Sequence, residues 1–75
     1  MKIKVGQVWK HYKGGTYEIV GVAVQSETLE KMVIYKMLYD SADFKKGTIW
    51  ARPWEIWFNE QEWEGKMVKR FELVK

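Results

Sequence analysis

Five polar residues of this 75-residue chain are hard to account for by folding alone: His11, Ser26, Glu27, Thr28 and Arg52. A histidine near a carboxylate can act as a general base, with Ser26 or Thr28 as nucleophile or as a ligand for an anion. A Ser-Glu-Thr run set in a loop more commonly makes the local side-chain to backbone hydrogen bonds that fix a turn. His11, beside Trp9 and Tyr12 on a strand-like stretch, fits a satisfied or exposed structural histidine better than a general base. Arg52 is flanked by Trp50, Pro53 and Trp54. A guanidinium there can stack on an indole, or hold a carboxylate or phosphate through its planar fork. The competing use is a salt bridge to Glu55 or Glu27, which as a surface pair contributes only about 0–1 kcal/mol.

Around Arg52 the segment Ile49 to Phe58, IWARPWEIWF, gathers three of the five tryptophans, one of the three phenylalanines and the only proline. Burying one tryptophan removes roughly 150–250 Å² from water, about 4–6 kcal/mol of gross hydrophobic gain. A chain this small cannot hide all of its aromatic rings, so some must line a surface. The binding set is Tyr12, Tyr35, Tyr39, Trp50, Trp54 and Trp57. Strand alternation turns Tyr35 and Trp50 inward, whereas a short turn after Pro53 brings Trp54 and Trp57 to one exposed edge.

The elements that must position these residues read as strands. Gly6 to Lys13 alternates large and polar side chains and runs into Gly14-Gly15, which suits a tight hairpin. Thr16 to Gln25 sets Tyr17, Ile19, Gly21 and Ala23 against Val20, Val22 and Val24, with a bend at Gly21. Ser26 to Lys31 is a polar loop. Met32 to Tyr39 forms the next strand, with Val33, Tyr35, Met37 and Tyr39 on one face. Asp40 to Gly47 is a loop tipped by the lysine pair Lys45-Lys46, and Thr48 to Arg52 is a fourth strand ended by Pro53. Trp54 to Phe58 has the length of one helical turn, and Glu64-Gly65 joins Gln61–Trp63 to Met67–Val74 as a hairpin. Five or six short strands in this order predict an all-β fold, a small SH3-like antiparallel barrel with a short helical turn after Pro53, occupying residues 1–75 as one domain. An OB-fold fits less well, because it takes a longer chain and an intervening helix.

Composition excludes several chemistries. There is no cysteine, hence no disulfide and no thiolate nucleophile, and the single histidine leaves too few ligands for a typical metal site. No metal or cofactor is therefore expected. The thirteen basic and ten acidic residues give a net charge of +3, and the signs alternate instead of forming the patch of a dedicated nucleic-acid binder. The start, Met1-Lys2-Ile3-Lys4-Val5, lacks the apolar stretch of a leader, and no run reaches the roughly 18 apolar residues of a membrane span. A cytoplasmic location without membrane attachment is the expectation.

The chain carries His11-Tyr12-Lys13-Gly14, Tyr17-Glu18-Ile19, Ser26-Glu27-Thr28-Leu29-Glu30, Val33-Ile34-Tyr35, Leu38-Tyr39 and Trp50-Ala51-Arg52-Pro53-x-Glu55 in this order. In order and spacing it resembles the small bacterial family known as domain of unknown function 1653, over almost its whole length. The loop Ser41 to Lys46 departs from the family's shorter, glycine-rich form, and Trp57 is inserted before the motif's phenylalanine. The resemblance implies a bacterial or phage origin and a compact fold, and no reaction. The residues themselves point to a non-enzymatic module that binds a small polar or peptide ligand at an aromatic groove. His11, Tyr12, Ser26, Glu27, Thr28, Tyr35, Trp50, Arg52 and Trp54 are the expected ligand-binding residues, in a monomer or weak homodimer. Two alternatives are an RNA or single-stranded DNA binder that stacks bases on Trp54 and Trp57, and a small hydrolase using His11.

Overall fold

The computed structural model describes residues 3–75, so the alternating start at Met1 and Lys2 lies outside the described residues. Seven strands and one short helix follow in the order β1 (Val8–His11), β2 (Thr16–Val24), β3 (Lys31–Met37), β4 (Ile49–Pro53), α1 (Trp54–Trp57), β5 (Glu60–Trp63), β6 (Lys66–Lys69) and β7 (Phe71–Leu73). Five strands form one antiparallel sheet in the order β4-β3-β2-β1-β7, and β5-β6 is a separate two-stranded ribbon.

The expected all-β class and the helical turn after Pro53 are what the chain adopts, but the sheet does not close by hydrogen bonding: β4 and β7 are its edges. The single long C-terminal strand expected over residues 67–74 is interrupted at Arg70. Its first half pairs with β5 and its second half with β1. Arg70 is the pivot, its N–H donating to the Asn59 carbonyl at 2.9 Å and its carbonyl accepting from the Tyr12 N–H at 3.0 Å.

The sheet nevertheless curls strongly. Five flat strands spaced about 4.8 Å apart would hold the two edges roughly 19 Å from each other. Instead the Arg52 guanidinium of β4 lies 5.4 Å from the centre of the Phe71 ring of β7. One source of the curl is in β2, where the register with β3 shifts between Ile19 and Gly21, leaving Val20 as the extra residue of a bulge. The bend anticipated at Gly21 is this bulge.

Register places Trp9, Tyr17, Ile19, Val33, Tyr35 and Phe71 on the same, concave face. His11 and Arg52 share that face, because His11 pairs with Phe71 and Arg52 with Val33. The helix α1 lies across this concavity, and Trp57 at its end is fully buried. The indole stacks on Phe71 at 3.7 Å between ring centres, with its plane tilted by only 6°, and meets Tyr35 at 4.9 Å and Trp9 at 5.7 Å edge to face. The expectation of an exposed Trp57 is thereby overturned. The turn lies across the open concavity of the sheet, so the residue one helical turn on from Trp54 points into the core. Trp54 itself stays at the rim, half-buried against Phe58.

Gly14 and Gly15 serve the β1–β2 hairpin in different ways. Gly14 adopts φ +107°, which suits only glycine, whereas Gly15 makes room for a ring. A Cβ on Gly15 would stand 2.5 Å from the Tyr39 hydroxyl and 2.8 Å from its ring. Gly15→Ala is therefore expected to push Tyr39 off its seat and destabilise the fold by about 1–3 kcal/mol. A urea melt checks the loss, and an unchanged midpoint would mean that Tyr39 swings aside at no cost.

Candidate functional site

The C-terminal end of β1, the adjoining stretches of β2 and β3, and the edge strand β4 bring polar groups to one mouth of the curled sheet. Arg52 is half-buried, and its Nε–H donates to the Tyr35 hydroxyl at 3.2 Å, with the Phe71 ring beneath the guanidinium. These contacts fix the plane of the guanidinium. Its two terminal nitrogens make no hydrogen bond to the described residues and are not buried. Neither Glu55 nor Glu27 forms the salt bridge considered above; the ion pair found among the described residues is Lys36–Glu18 at 3.7 Å.

His11 also packs against Phe71, 5.0 Å from that ring, and lies 4.4 Å from Tyr12. Its Nδ1 accepts the backbone N–H of Lys13 at 3.1 Å. In the neutral ring the proton must therefore reside on Nε2, which becomes a donor. Burial lowers the His11 pKa first, then the positive charges of Arg52, Arg70 and Lys13, together bringing it from 6.5 down to about 4. The imidazole is thus neutral at pH 7, and no carboxylate contributes to its surroundings.

Exposed and half-exposed rings flank these cations. Tyr12 packs on Trp63 at 5.2 Å, with the Lys13 ammonium 5.7 Å from the Tyr12 ring. Across the mouth, the hydroxyls of Tyr17 and Tyr39 share a hydrogen bond of 2.7 Å, and Tyr17 packs on Tyr35 at 5.1 Å. Burial, reinforced by the bond to Tyr39, raises the Tyr17 pKa well above that of an ordinary phenol, so it stays protonated at physiological pH. Arg70 donates from its terminal nitrogen to Gln61 Oε1 at 2.6 Å, while its buried Nε–H has no partner among the described residues.

Of the nine residues expected to bind a ligand, the fold gathers His11, Tyr12, Tyr35 and Arg52. Tyr35 is in the core, as alternation implies, and contributes its hydroxyl by holding Arg52. Ser26, Glu27 and Thr28 lie elsewhere, in the exposed turn between β2 and β3. There the Glu27 N–H donates to Gln25 Oε1 at 2.7 Å and the Glu30 N–H to Thr28 Oγ1 at 3.2 Å. Lys31, where β3 leaves that turn, is four residues from Tyr35, about 13 Å along the strand. Trp50 is half-buried against Phe44 at 4.7 Å. Trp54 lines a different cleft of about 330 Å³ with Glu30, Lys31, Pro53 and Glu55, and the Lys31 ammonium lies 4.3 Å from its ring.

Sequence reasoning misses Arg70 and Tyr17 as site residues, and takes Tyr39 for its ring and not for its hydroxyl. Nothing in the spacing 11, 52, 70 signals that the ends of three strands meet. A larger groove of about 430 Å³ is lined by Trp9, Phe58, Lys69, Phe71, Glu72 and Leu73. Its lining charges are one lysine and one glutamate, which give no net electrostatic preference. The mouth carries the directed donors, and we place the candidate site there. The described residues contain no group of three or more His, Asp or Glu side chains able to hold a metal ion, and no helix long and apolar enough to cross a membrane.

The fold and this site define a small all-β domain with a cationic, aromatic mouth. The chain belongs to the family described as protein of unknown function DUF1653, whose model matches residues 7–73. It is similar to the crystal structure of a DUF1653 protein from Bordetella bronchiseptica, with 32% sequence identity and a TM-score of 0.80 over 97% of this chain and 88% of that one. No curated protein sequence matches it.

Proposed function

We propose that this domain is a non-enzymatic binding module that receives a small polar or peptide ligand at the aromatic mouth between His11 and Arg52. One observation carries the reading: Arg52 is held by Tyr35 and Phe71, yet its terminal nitrogens have no partner among the described residues. Orienting a guanidinium in this way costs side-chain entropy, which a surface contact hardly offsets but a ligand contact does.

A hydrolase has less support. His11 spends Nδ1 on a backbone N–H, has no carboxylate beside it, and is about a strand's length from Ser26 and Thr28. Nucleic-acid binding by stacking on Trp54 and Trp57 also loses ground. Trp57 is sealed in the core, and Trp54 already carries Lys31 over its ring.

The test is a backbone and side-chain NMR titration of the labelled protein with pooled polar metabolites, short peptides and single-stranded RNA. Shifts centred on His11, Tyr12 and Arg52 are the expected result. A well-dispersed spectrum that none of the pools perturbs would remove the reading. RNA-induced shifts whose amplitude collapses with added salt would replace it with nucleic-acid binding.

A further inference from the structure

The mouth is built almost entirely from donors. Arg52 offers the N–H groups of two terminal nitrogens, and His11, with Nδ1 occupied by the Lys13 N–H, offers Nε2–H. Arg70 and Lys13 add positive charge without a carboxylate within 4 Å among the described residues. The Tyr17 and Tyr39 hydroxyls are bonded to one another, which leaves a single proton between them for a further acceptor. A cationic ligand would meet three fixed positive charges, and a neutral one would leave them uncompensated in a partly desolvated setting.

Resting on the binding reading above, we propose that the group recognised at this mouth is an oxyanion, a carboxylate or a phosphate, held between the terminal nitrogens of Arg52 and the Nε2–H of His11. The planar fork of Arg52 matches two oxygens of such a group, and its plane is already set by Tyr35 and Phe71. The rings of Tyr12 and Trp63 stand beside it and give an attached apolar or aromatic group a surface to lie on. Binding and protonation of His11 are linked. An anion beside the imidazole stabilises its charged form, so the His11 pKa rises when the oxyanion is bound.

Four compounds of one shape separate charge from ring contact: benzoate, phenyl phosphate, benzamide and benzylamine. They are titrated at low ionic strength while the His11 Hε1 and Arg52 Hε signals are followed. Benzoate and phenyl phosphate are expected to shift both signals and to bind roughly tenfold or more tighter than benzamide, the range of a charge-assisted hydrogen bond. The ratio of the first two tells whether carboxylate or phosphate is preferred. Arg52→Gln is expected to abolish that tenfold advantage, and Arg52→Lys, which keeps the charge but loses the fork, to retain only part of it; signal dispersion establishes that each variant is folded. The His11 titration midpoint should rise in the benzoate complex.

If benzamide or benzylamine shifts the same signals with equal affinity, the oxyanion inference falls while the binding reading stands. If none of the four compounds and none of the metabolite, peptide or RNA pools perturbs the mouth, both fall. Response to RNA alone, lost with salt, overturns the oxyanion inference in favour of a polynucleotide.

Discussion

Trp57→Ala is expected to destabilise the domain by about 3–5 kcal/mol, the largest loss of any single substitution in the core. The side chain is fully buried and touches Trp9, Tyr35 and Phe71 at 5.7, 4.9 and 3.7 Å between ring centres. Removing so large an aromatic from a packed core costs about 3–5 kcal/mol. A domain of this length has a total stability of roughly 4–11 kcal/mol, so the substitution consumes about a quarter or more of it, and all of it where the total lies near the lower bound. The effect is amplified by the topology. β4 and β7 share no hydrogen bonds, and what spans the opening between them is Trp57 together with Arg52 above Phe71. Trp57→Phe supplies the control. The indole Nε1–H is buried with no acceptor among the described residues, so phenylalanine loses area but also removes an unsatisfied donor, and its cost should be about 1–2 kcal/mol. Urea denaturation followed by far-ultraviolet circular dichroism measures both. A loss below about 1 kcal/mol for the alanine variant would mean that the helical turn is not the plug of the sheet.

The same residue marks where reading the sequence runs out. Period-two alternation was enough to find β3 and to turn Val33, Tyr35 and Met37 inward, since each strand residue's face is fixed by its neighbours. Glu64-Gly65 disclosed the β5–β6 hairpin: Glu64 and Gly65 both take positive φ, +52° and +80°. Gly21 disclosed the bulge in β2. These signals are local. The burial of Trp57 depends on where α1 crosses the sheet, which no local pattern encodes, and the break at Arg70 depends on two different strands competing for one segment.

The site divides along the same line. In the sequence Arg52 is as compatible with a structural clamp as with a ligand contact, and His11 reads more readily as a structural histidine than as a working one. Their meeting was not legible, because they are 41 residues apart and belong to strands separated by two others in the sheet. Only the curl of the sheet carries Arg52 over Phe71, the residue that pairs with His11. Ser26, Glu27 and Thr28 stood out equally in the sequence, but they lie in the β2–β3 turn, where Glu27 and Thr28 hydrogen-bond to residues two positions away. A turn motif and a site motif are written in the same residue types.

His11 gives the second large effect, a loss of stability in mild acid. Its pKa is 6.5 when unconstrained and about 4 in the folded domain, lowered by burial and then by Arg52, Arg70 and Lys13. The unfolded chain therefore binds a proton more readily than the folded one between these two values, and ΔG of unfolding rises with pH across that interval. The contribution is fully present above about pH 6.5 and is lost progressively as the pH falls toward 4. The ring is only partly buried, so solvent screening reduces the full shift to an expected loss of about 1–2 kcal/mol. His11→Asn separates this group from the carboxylates that titrate below it, because the asparagine amide oxygen can still accept the Lys13 N–H but carries no ionisable proton. Its melting temperature should be flat from pH 7 to pH 5, where the parent chain declines. Arg52→Gln should remove only part of the slope, since burial is the larger cause of the low pKa and remains. Identical pH profiles for the parent and His11→Asn would show that burial and the surrounding cations do not hold the imidazole neutral in the folded domain.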